Sequence, residues 1–278
     1  MPGFFFVVTM FGCDRVFYYP DARVRGNPSE YQLKYEDVYF TSQDGVRLHG
    51  WYFPASGRAK GTVLHVHGNA GNITSHYEFI RWLPVAGYNV LTFDYRGYGQ
   101  SGGQVTRSGT MSDANAALDY LRSRSDIDKS KIVVFGQSIG GTVATALTAR
   151  RREQVAALAI DSCFTSHKEI ARYHVTHHPL LFCLGWWFPM TIADGQDAVD
   201  EIGKVAPTPL LIMQGKRDRI VPWKMGQRLF DAAKDPKELW LIDDSDHMEV
   251  WFTHSQEAQD RLSGFFDRAL GSLRSRNL

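Results

Sequence analysis

Apolar and polar positions alternate along this chain in stretches that predict strands and helices in turn. Residues 35–42 and 46–53 are aromatic and β-branched runs, and an Asp-Gly pair lies between them. Such a pair between two such runs predicts an antiparallel hairpin. Six further short apolar runs predict strands at 61–67, 88–94, 131–135, 156–160, 209–214 and 238–243. Apolar residues at helical spacing predict helices at 79–85, 111–123, 142–149, 224–233 and 249–270.

An opening hairpin followed by alternating strands and helices indicates one fold class. Short strands that are apolar on both sides are typical of a parallel sheet covered on both faces. We therefore expect an α/β fold with a mostly parallel, eight-stranded sheet and helices on both faces. Loops at the carboxyl ends of the strands build the site in such sheets, so the chemistry should follow the strands directly.

Length and composition refine the domain organisation. The chain has 278 residues and no stretch that reads as a linker or a repeat. We expect an N-terminal extension at 1–30 and a domain at 31–278, with a cap-like insertion at about 164–206 between two strands. Hydrophobic residues make up 44%, enough for a large core, and a net charge of +1 gives no electrostatic argument for nucleic acid.

The three cysteines have no motif spacing. Cys13, Cys163 and Cys183 form no C-x-x-C pair and no zinc spacing, which favours unpaired thiols in a reducing compartment.

The role of the N-terminal apolar segment is left open by the sequence. Residues 4–11 are apolar but too short to span a bilayer, and no basic region precedes them. Packing on protein, a membrane-surface anchor and the remnant of a longer leader stay open, and self-association into a homo-oligomer through this segment is a further option.

The strongest chemical signal lies at residues 136–141, Gly-Gln-Ser-Ile-Gly-Gly, between a predicted strand and a predicted helix. This is the G-x-S-x-G nucleophile elbow, with Ser138 at the apex. Side chains two positions on either side of the serine would collide, which explains Gly136 and Gly140. The pattern predicts Ser138 as a nucleophile rather than part of a structural turn.

The oxyanion loop, residues 67–72 (His-Gly-Asn-Ala-Gly-Asn), follows the third predicted strand. An oxyanion hole in this arrangement uses one backbone N–H from such a loop and one from the residue after the nucleophile. We expect the amides of Asn69 and Ile139 to supply them. His67 is expected to brace the loop rather than transfer a proton.

A serine nucleophile needs a base that is oriented by an acid, in the order Ser, Asp or Glu, His. Asp218 follows one predicted strand and His247 follows the next, so both lie at the expected edge of the sheet. Asp161 also ends a strand and is the rival acid. The cluster His174, His177 and His178 has no carboxylate or cysteine at ligand spacing, which favours a solvated or lid-lining role over a metal site.

Residues 94–99 form another dense polar segment after a strand. A catalytic role for Asp94 or Arg96 is one interpretation. The favoured one is a strand exit whose glycines and Arg–Asp contacts shape the loop beside the site.

Taken together, these motifs resemble those of the α/β-hydrolase fold over about residues 36–270. Within it, the chain is similar to membrane-associated serine hydrolases that include the depalmitoylase-like α/β-hydrolase-domain proteins and their bacterial relatives, through residues 16–20 and the hairpin at 44–51. The resemblance implies that Ser138, Asp218 and His247 form the catalytic triad, and that Asn69 and Ile139 supply the oxyanion-hole amides. The short apolar start departs from the family pattern and weakens the case for membrane attachment.

The expected function is a serine hydrolase that cleaves carboxylic esters through an acyl-enzyme, with a small-molecule ester as partner and no metal or organic cofactor. Residues 180–190 are apolar and form either a packed core helix or a cap that lines an acyl pocket, with Trp186, Trp187 and Phe188 as substrate-binding residues. A thioesterase or depalmitoylase, a serine peptidase, and a catalytically silent membrane-associated interaction protein are the alternatives.

Overall fold

The computed structural model describes residues 17–179 and 188–276. Its strands are β1 (Glu36–Thr41), β2 (Arg47–Phe53), β3 (Gly61–Val66), β4 (Tyr88–Phe93), β5 (Ile132–Gln137), β6 (Ala157–Asp161), β7 (Leu210–Gly215) and β8 (Lys237–Ile242). They form one eight-stranded sheet in the order β1-β2-β4-β3-β5-β6-β7-β8. Strand β2 is antiparallel to β1 and to β4, and the other neighbours are parallel. The predicted hairpin and mostly parallel sheet are confirmed.

The helices connect the strands and cover the sheet. They are α1 (Ile73–His76), α2 (Arg107–Ser123), α3 (Ile139–Arg151), α4 (His167–His177), α5 (Ala198–Glu201), α6 (Trp223–Ala232), α7 (Val250–Thr253) and α8 (Ser255–Arg276). Helix α4, a 3-10 turn at Phe188–Thr191 and α5 lie between β6 and β7, where we predicted the cap-like insertion.

Successive side chains of the central strands face two separate hydrophobic cores. In β3, Leu64 packs in the core shared with α2, α3 and α6, while Val63 packs in the core shared with α1, α7 and α8. Val134 and Val133 of β5 divide in the same way. Because neighbouring residues of a strand point to opposite faces, wholly apolar strands require helices on both faces.

Two predicted helices differ from the structure. The helix at 79–85 is wrong: α1 is followed by a 3-10 turn at Tyr77–Phe79 and then by further turns. Pro84 lacks an N–H and disfavours helical geometry in the residue before it, and the side chain of Asn72 caps the earlier start at α1. The helix at 249–270 is two helices, because His254 leaves helical geometry with φ −128° and ψ 40°.

Some sequence predictions fall on residues outside the described ranges. These include the apolar run at 4–11, Trp186, Trp187, Cys13 and Cys183. Cys163 is described, and it is a free, buried thiol. Among the described residues, no helix has the length and apolar character needed to cross a bilayer. The domain boundary near residue 30 stays a prediction, although Tyr18 is already buried in the core.

Candidate active site

Ser138 occupies the turn between β5 and α3. Its φ of 51° and ψ of −122° are rare for a residue with a side chain and store strain. The backbone around it holds this conformation: Ser138 N donates to the Asp161 carbonyl at 2.8 Å, and Gly141 N donates to the Ser138 carbonyl at 2.9 Å. The strained turn places the side chain of Ser138, which is largely buried, in the wall of a cavity at the carboxyl edge of the sheet.

The glycines of the elbow are required for steric reasons, as we expected. A Cβ at Gly136 would lie 2.5 Å from the Cβ of Ala144. A Cβ at Gly140 would overlap the carbonyl oxygens of Val66 and His67. Strand β5, helix α3 and the oxyanion loop therefore approach each other as closely as the backbone allows.

The structure brings Ser138, His247 and Asp218 into one hydrogen-bonded line. The Nε2 atom of His247 lies 3.1 Å from the Ser138 hydroxyl, and its Nδ1 atom lies 2.8 Å from Oδ2 of Asp218. A carboxylate only accepts, so Nδ1 carries the proton and Nε2 is left to accept from the serine. This tautomer is the one that a general base requires.

Asp218 is held by several donors at once. Its Oδ1 atom accepts from the backbone amides of Ile220 and Val221 at 2.8 and 2.7 Å. Its Oδ2 atom accepts from Gln214 Nε2 at 3.0 Å as well as from His247. These bonds fix the carboxylate against the imidazole. Gln214 was not among the predicted site residues, although its position near the end of a predicted strand is a signal for it.

The rival acid, Asp161, has different partners. Its Oδ2 atom accepts from the indole N–H of Trp251 at 2.7 Å, and its Oδ1 atom accepts from the Ser162 hydroxyl at 2.9 Å. Burial raises the pKa of Asp161 above the usual value. The structure thus brings Asp218, and not Asp161, to the ring of His247.

Asn69 and Ile139 line the same cavity as Ser138 and His247. Helix α3 begins at Ile139, so the backbone N–H of this residue has no hydrogen-bond acceptor within the helix. The side-chain oxygen of Asn69 accepts from Tyr19 N and from the Tyr98 hydroxyl, both at 2.9 Å. The two residues expected to supply oxyanion amides therefore border the nucleophile.

His67, the first residue of the oxyanion loop, is fully buried. Its Nδ1 atom donates to the Gly68 carbonyl at 2.7 Å, and its ring packs against His76 and Tyr95 at centroid distances of 4.8 and 4.5 Å. Burial lowers the pKa of His67 well below the usual value, so the ring is neutral. These contacts support a bracing role.

The segment at 94–99 has the structural contacts that we favoured. Arg96 is buried and donates to the carboxylates of Asp113 and Asp44. Asp94 accepts from the backbone N–H of Ile73 at 2.9 Å, which ties β4 to the start of α1.

A cavity of about 590 Å³ opens beside Ser138. Phe188, one of the predicted substrate-binding residues, lines it, whereas Trp186 and Trp187 lie outside the described residues. Several other lining residues were not predicted. They come from the N-terminal segment, α4 and the loop after β7: Phe17, Tyr19, Ile170, Ala171, Val175 and Ile220. The signal in α4 was the helical spacing of 170, 171 and 175.

The histidine cluster has separate roles. His174 lines the cavity and its Nε2 atom donates to the Ile220 carbonyl at 2.9 Å. His177 donates to the carbonyl of Tyr173 on its own helix at 2.8 Å. Within the part of the chain that the structure describes, no group of three or more His, Cys, Asp or Glu side chains could hold a metal ion.

The chain is similar in sequence to known proteins from bacteria, a plant and a yeast. The sequence model of the α/β hydrolase fold matches residues 61–182. The chain is 36% identical to the uncharacterized protein YfhR of Escherichia coli K12, over 91% of this chain and 87% of that protein. It is 34% identical to the α/β hydrolase domain-containing protein WAV2 of Arabidopsis thaliana, over 81% and 76%. Protein bem46 of Schizosaccharomyces pombe is 32% identical, over 79% and 75%.

Among solved structures, the Pyrococcus furiosus esterase Pf2001 superimposes with a TM-score of 0.74. The two chains are 25% identical, and the match covers 91% of this chain and 98% of the esterase. The likeness in sequence and in structure confirms the fold expected from the motifs.

Proposed function

The chain belongs to the α/β-hydrolase family, and from that premise we propose that it cleaves carboxylic esters through an acyl-enzyme intermediate on Ser138. One observation carries the proposal: the contacts from Ser138 to His247 at 3.1 Å and from His247 to Asp218 at 2.8 Å. An esterase among the structural neighbours supports the reaction class.

The first half-reaction forms the acyl-enzyme. Nε2 of His247 takes the hydroxyl proton as Ser138 Oγ attacks the carbonyl carbon, and the carbonyl oxygen becomes an oxyanion. The amides of Asn69 and Ile139 bind that oxyanion, and each such donor contributes roughly 3–4 kcal/mol of transition-state stabilisation. Asp218 stabilises the imidazolium that forms.

The first half-reaction ends when this tetrahedral intermediate collapses: the bond from the carbonyl carbon to the alkoxide oxygen breaks, the imidazolium of His247 protonates the leaving alkoxide, and the alcohol departs, which leaves the acyl-enzyme on Ser138. In the second half-reaction, His247 takes a proton from water, whose oxygen attacks the acyl carbon. Collapse of this second tetrahedral intermediate returns the proton to Ser138 and frees the carboxylic acid.

The cavity supports an uncharged, apolar acyl group as the substrate class. Its volume of about 590 Å³ is within the usual range for small-molecule sites, and most of its lining is apolar. Each methylene buried there would contribute about 0.8 kcal/mol, or roughly a fourfold gain in affinity. A thioester presents the same carbonyl to Ser138, so an acyl-protein thioesterase or depalmitoylase is the alternative.

Labelling with a fluorophosphonate tests the nucleophile. We expect the wild-type protein to be labelled and to hydrolyse an activated acyl ester, and Ser138→Ala to lose both properties. Ser130→Ala, in an exposed loop, is the matched control and should behave as wild type. Turnover by Ser138→Ala at the wild-type rate would refute the assignment. An unlabelled, inactive wild-type protein would instead favour the catalytically silent interaction protein.

A panel of esters and thioesters, from acetyl to palmitoyl, tests the substrate class. We expect kcat/KM to rise with acyl length until the cavity is full. The ratio of ester to thioester rates at equal length separates the carboxylesterase from the thioesterase. A flat dependence on acyl length would contradict the apolar acyl site.

A further inference from the structure

Residues 17–25, which we call the strap, run across the oxyanion loop and are bonded to it along their length. Pro20 forms a parallel β-bridge with Gly71, and the side-chain amide of Asn72 donates to the carbonyls of Asp21 and Arg23 at 2.8 and 2.9 Å. Arg25 N donates to the Thr74 hydroxyl at 2.9 Å, where the loop enters α1. These contacts join the strap to the loop at successive residues.

The contact nearest the reaction centre fixes Asn69 from two sides. Its carboxamide oxygen has two lone pairs, and it accepts from the backbone N–H of Tyr19 and from the hydroxyl of Tyr98. Burial raises the pKa of Tyr98 well above the usual value, so this hydroxyl keeps its proton at physiological pH. The side chain of Asn69 is thereby held in one orientation.

The loop that follows Asn69 is conformationally strained. Ala70 adopts a φ of 64°, which costs energy in a residue with a Cβ, and Gly71 follows with a φ of 71°. Such a conformation persists only where surrounding contacts over-determine it. The bonds of the strap to Asn69, Gly71 and Asn72 lie on either side of Ala70 and supply those contacts.

The strap also contributes to the wall of the acyl cavity. Phe17 and Tyr19 line the cavity beside Ser138, whereas Tyr18 between them is buried in the hydrophobic core. Tyr18 therefore anchors this part of the strap in the core, while the residues on either side of it face the cavity. Tyr19 therefore has two contacts with the site. Its backbone N–H donates to Asn69 of the oxyanion loop, and its side chain lines the cavity.

We propose that the strap is a positioning element of the oxyanion hole. The N–H of Tyr19 and the hydroxyl of Tyr98 hold Asn69 so that its backbone amide faces the carbonyl oxygen of the substrate. Tyr19 and Tyr98 are positioning residues that act through Asn69. The inference rests on the proposed function, because the amide of Asn69 has this role only where Ser138 attacks a carbonyl.

Steady-state kinetics on an acetyl ester isolates this effect, because a short acyl group makes little use of the cavity wall. Tyr98→Phe removes one hydroxyl from a buried ring and should fold. We expect it to lower kcat by roughly three- to tenfold, the effect of one hydrogen bond, with little change in KM. The same factor should apply to longer acyl groups, because the oxyanion is common to all of them.

Proline substitution removes the other donor. Tyr19→Pro lacks the backbone N–H and should lower kcat further than Tyr19→Ala, which loses the side chain but keeps the N–H. Ala59→Pro, in the loop between β2 and β3 and outside the strap, is the matched control and should keep the wild-type kcat, since Ala59 is exposed and its N–H has no acceptor among the described residues.

Provided that the wild-type protein hydrolyses the ester, two results would overturn the inference. One is a wild-type kcat for Tyr98→Phe together with equal kcat for Tyr19→Pro and Tyr19→Ala. The other is a loss in Ala59→Pro as large as that in Tyr19→Pro, which would make the loss a general effect of proline rather than of the missing Tyr19 N–H. A wild-type protein with neither turnover nor fluorophosphonate labelling at Ser138 would instead refute the proposed function, so the two failures are distinguishable.

Discussion

The indole N–H of Trp251 donates to the carboxylate of Asp161 across 2.7 Å, ninety residues along the chain. The Ser162 hydroxyl donates to the other carboxylate oxygen, so both oxygens of Asp161 accept a hydrogen bond. Asp161 therefore supports the packing of α7 beneath the elbow, while Asp218 faces the ring of His247.

A matched pair of substitutions tests this division between the two aspartates. Asp218→Asn places an amide against Nδ1 of His247, which favours the wrong tautomer, and should lower kcat by roughly 10³–10⁴-fold. Asp161→Asn keeps an oxygen for Trp251 and should retain activity to within about tenfold, the effect of one altered hydrogen bond. Steady-state kinetics of both variants on one activated ester is the measurement. A loss in Asp161→Asn equal to that in Asp218→Asn would contradict the assignment.

The features predicted from sequence are those fixed by local pattern. The sheet, the hairpin and the elbow follow from strand periodicity, the Asp-Gly turn and the glycines beside Ser138. The positions of Asp218 and His247 follow from one topological rule, since the carboxyl ends of parallel strands share one edge. Their hydrogen bonds could then be expected from residue type alone.

The features that were missed depend on contacts between distant parts of the chain. The break between α7 and α8 is accompanied by the bond from Trp251 to Asp161, which helical spacing cannot reveal. Tyr19 contributes to the site through its backbone N–H, which carries no residue-specific signal. No helix forms at 79–85 because Pro84 interrupts the apolar spacing and the side chain of Asn72 caps an earlier start.

Glycine-to-alanine substitution tests the close packing of the elbow. Gly140→Ala would force the carbonyls of Val66 and His67 away from α3, and should cost roughly 1–3 kcal/mol of stability together with most of the activity. Gly264→Ala in α8 is the matched control. Its Cβ would approach nothing nearer than an atom of Arg268 at 3.5 Å, so the change should stabilise the helix by roughly 0.5–1 kcal/mol. Urea unfolding of both variants measures the difference, and equal effects would argue against steric exclusion at the elbow.

Filling the cavity tests the path of the acyl group. Ala171 lies on the cavity side of α4, so Ala171→Phe should shorten the longest acyl group that is well accepted. Displacing two methylenes from the cavity should lower kcat/KM for long esters by roughly tenfold or more, with little effect on acetyl esters. Arg172→Phe adds the same ring on the exposed side of the helix and should leave the acyl-length profile unchanged. An unchanged profile in Ala171→Phe would show that the acyl group lies elsewhere.

His65 provides a prediction for the pH dependence of stability. Its ring is buried near the carboxyl end of β3, where Nε2 donates to Gln137 Oε1 and Nδ1 accepts from the Thr92 hydroxyl, both at 3.0 Å. Burial lowers the pKa of His65 to about 3 in the folded protein, whereas a histidine in an unfolded chain has a pKa of about 6.5. At pH values between these two, the unfolded chain binds a proton that the folded protein does not. The free energy of unfolding must therefore fall as the pH drops from about 6.5 towards 3.

Replacing the ring with an uncharged side chain should reduce this loss. Between pH 7 and pH ~4.5 the depressed pKa accounts for roughly 2–3 kcal/mol, so His65→Gln should lose less stability over that interval by about this amount. The burial that lowers the pKa of His67 and of His76 acts in the same direction, but both residues are present in both proteins and cancel in the comparison. Urea unfolding at the two pH values gives the difference, with His177→Gln as the control for loss of an exposed histidine. Parallel pH dependence in wild type and His65→Gln would mean that His65 is not held neutral in the folded sheet.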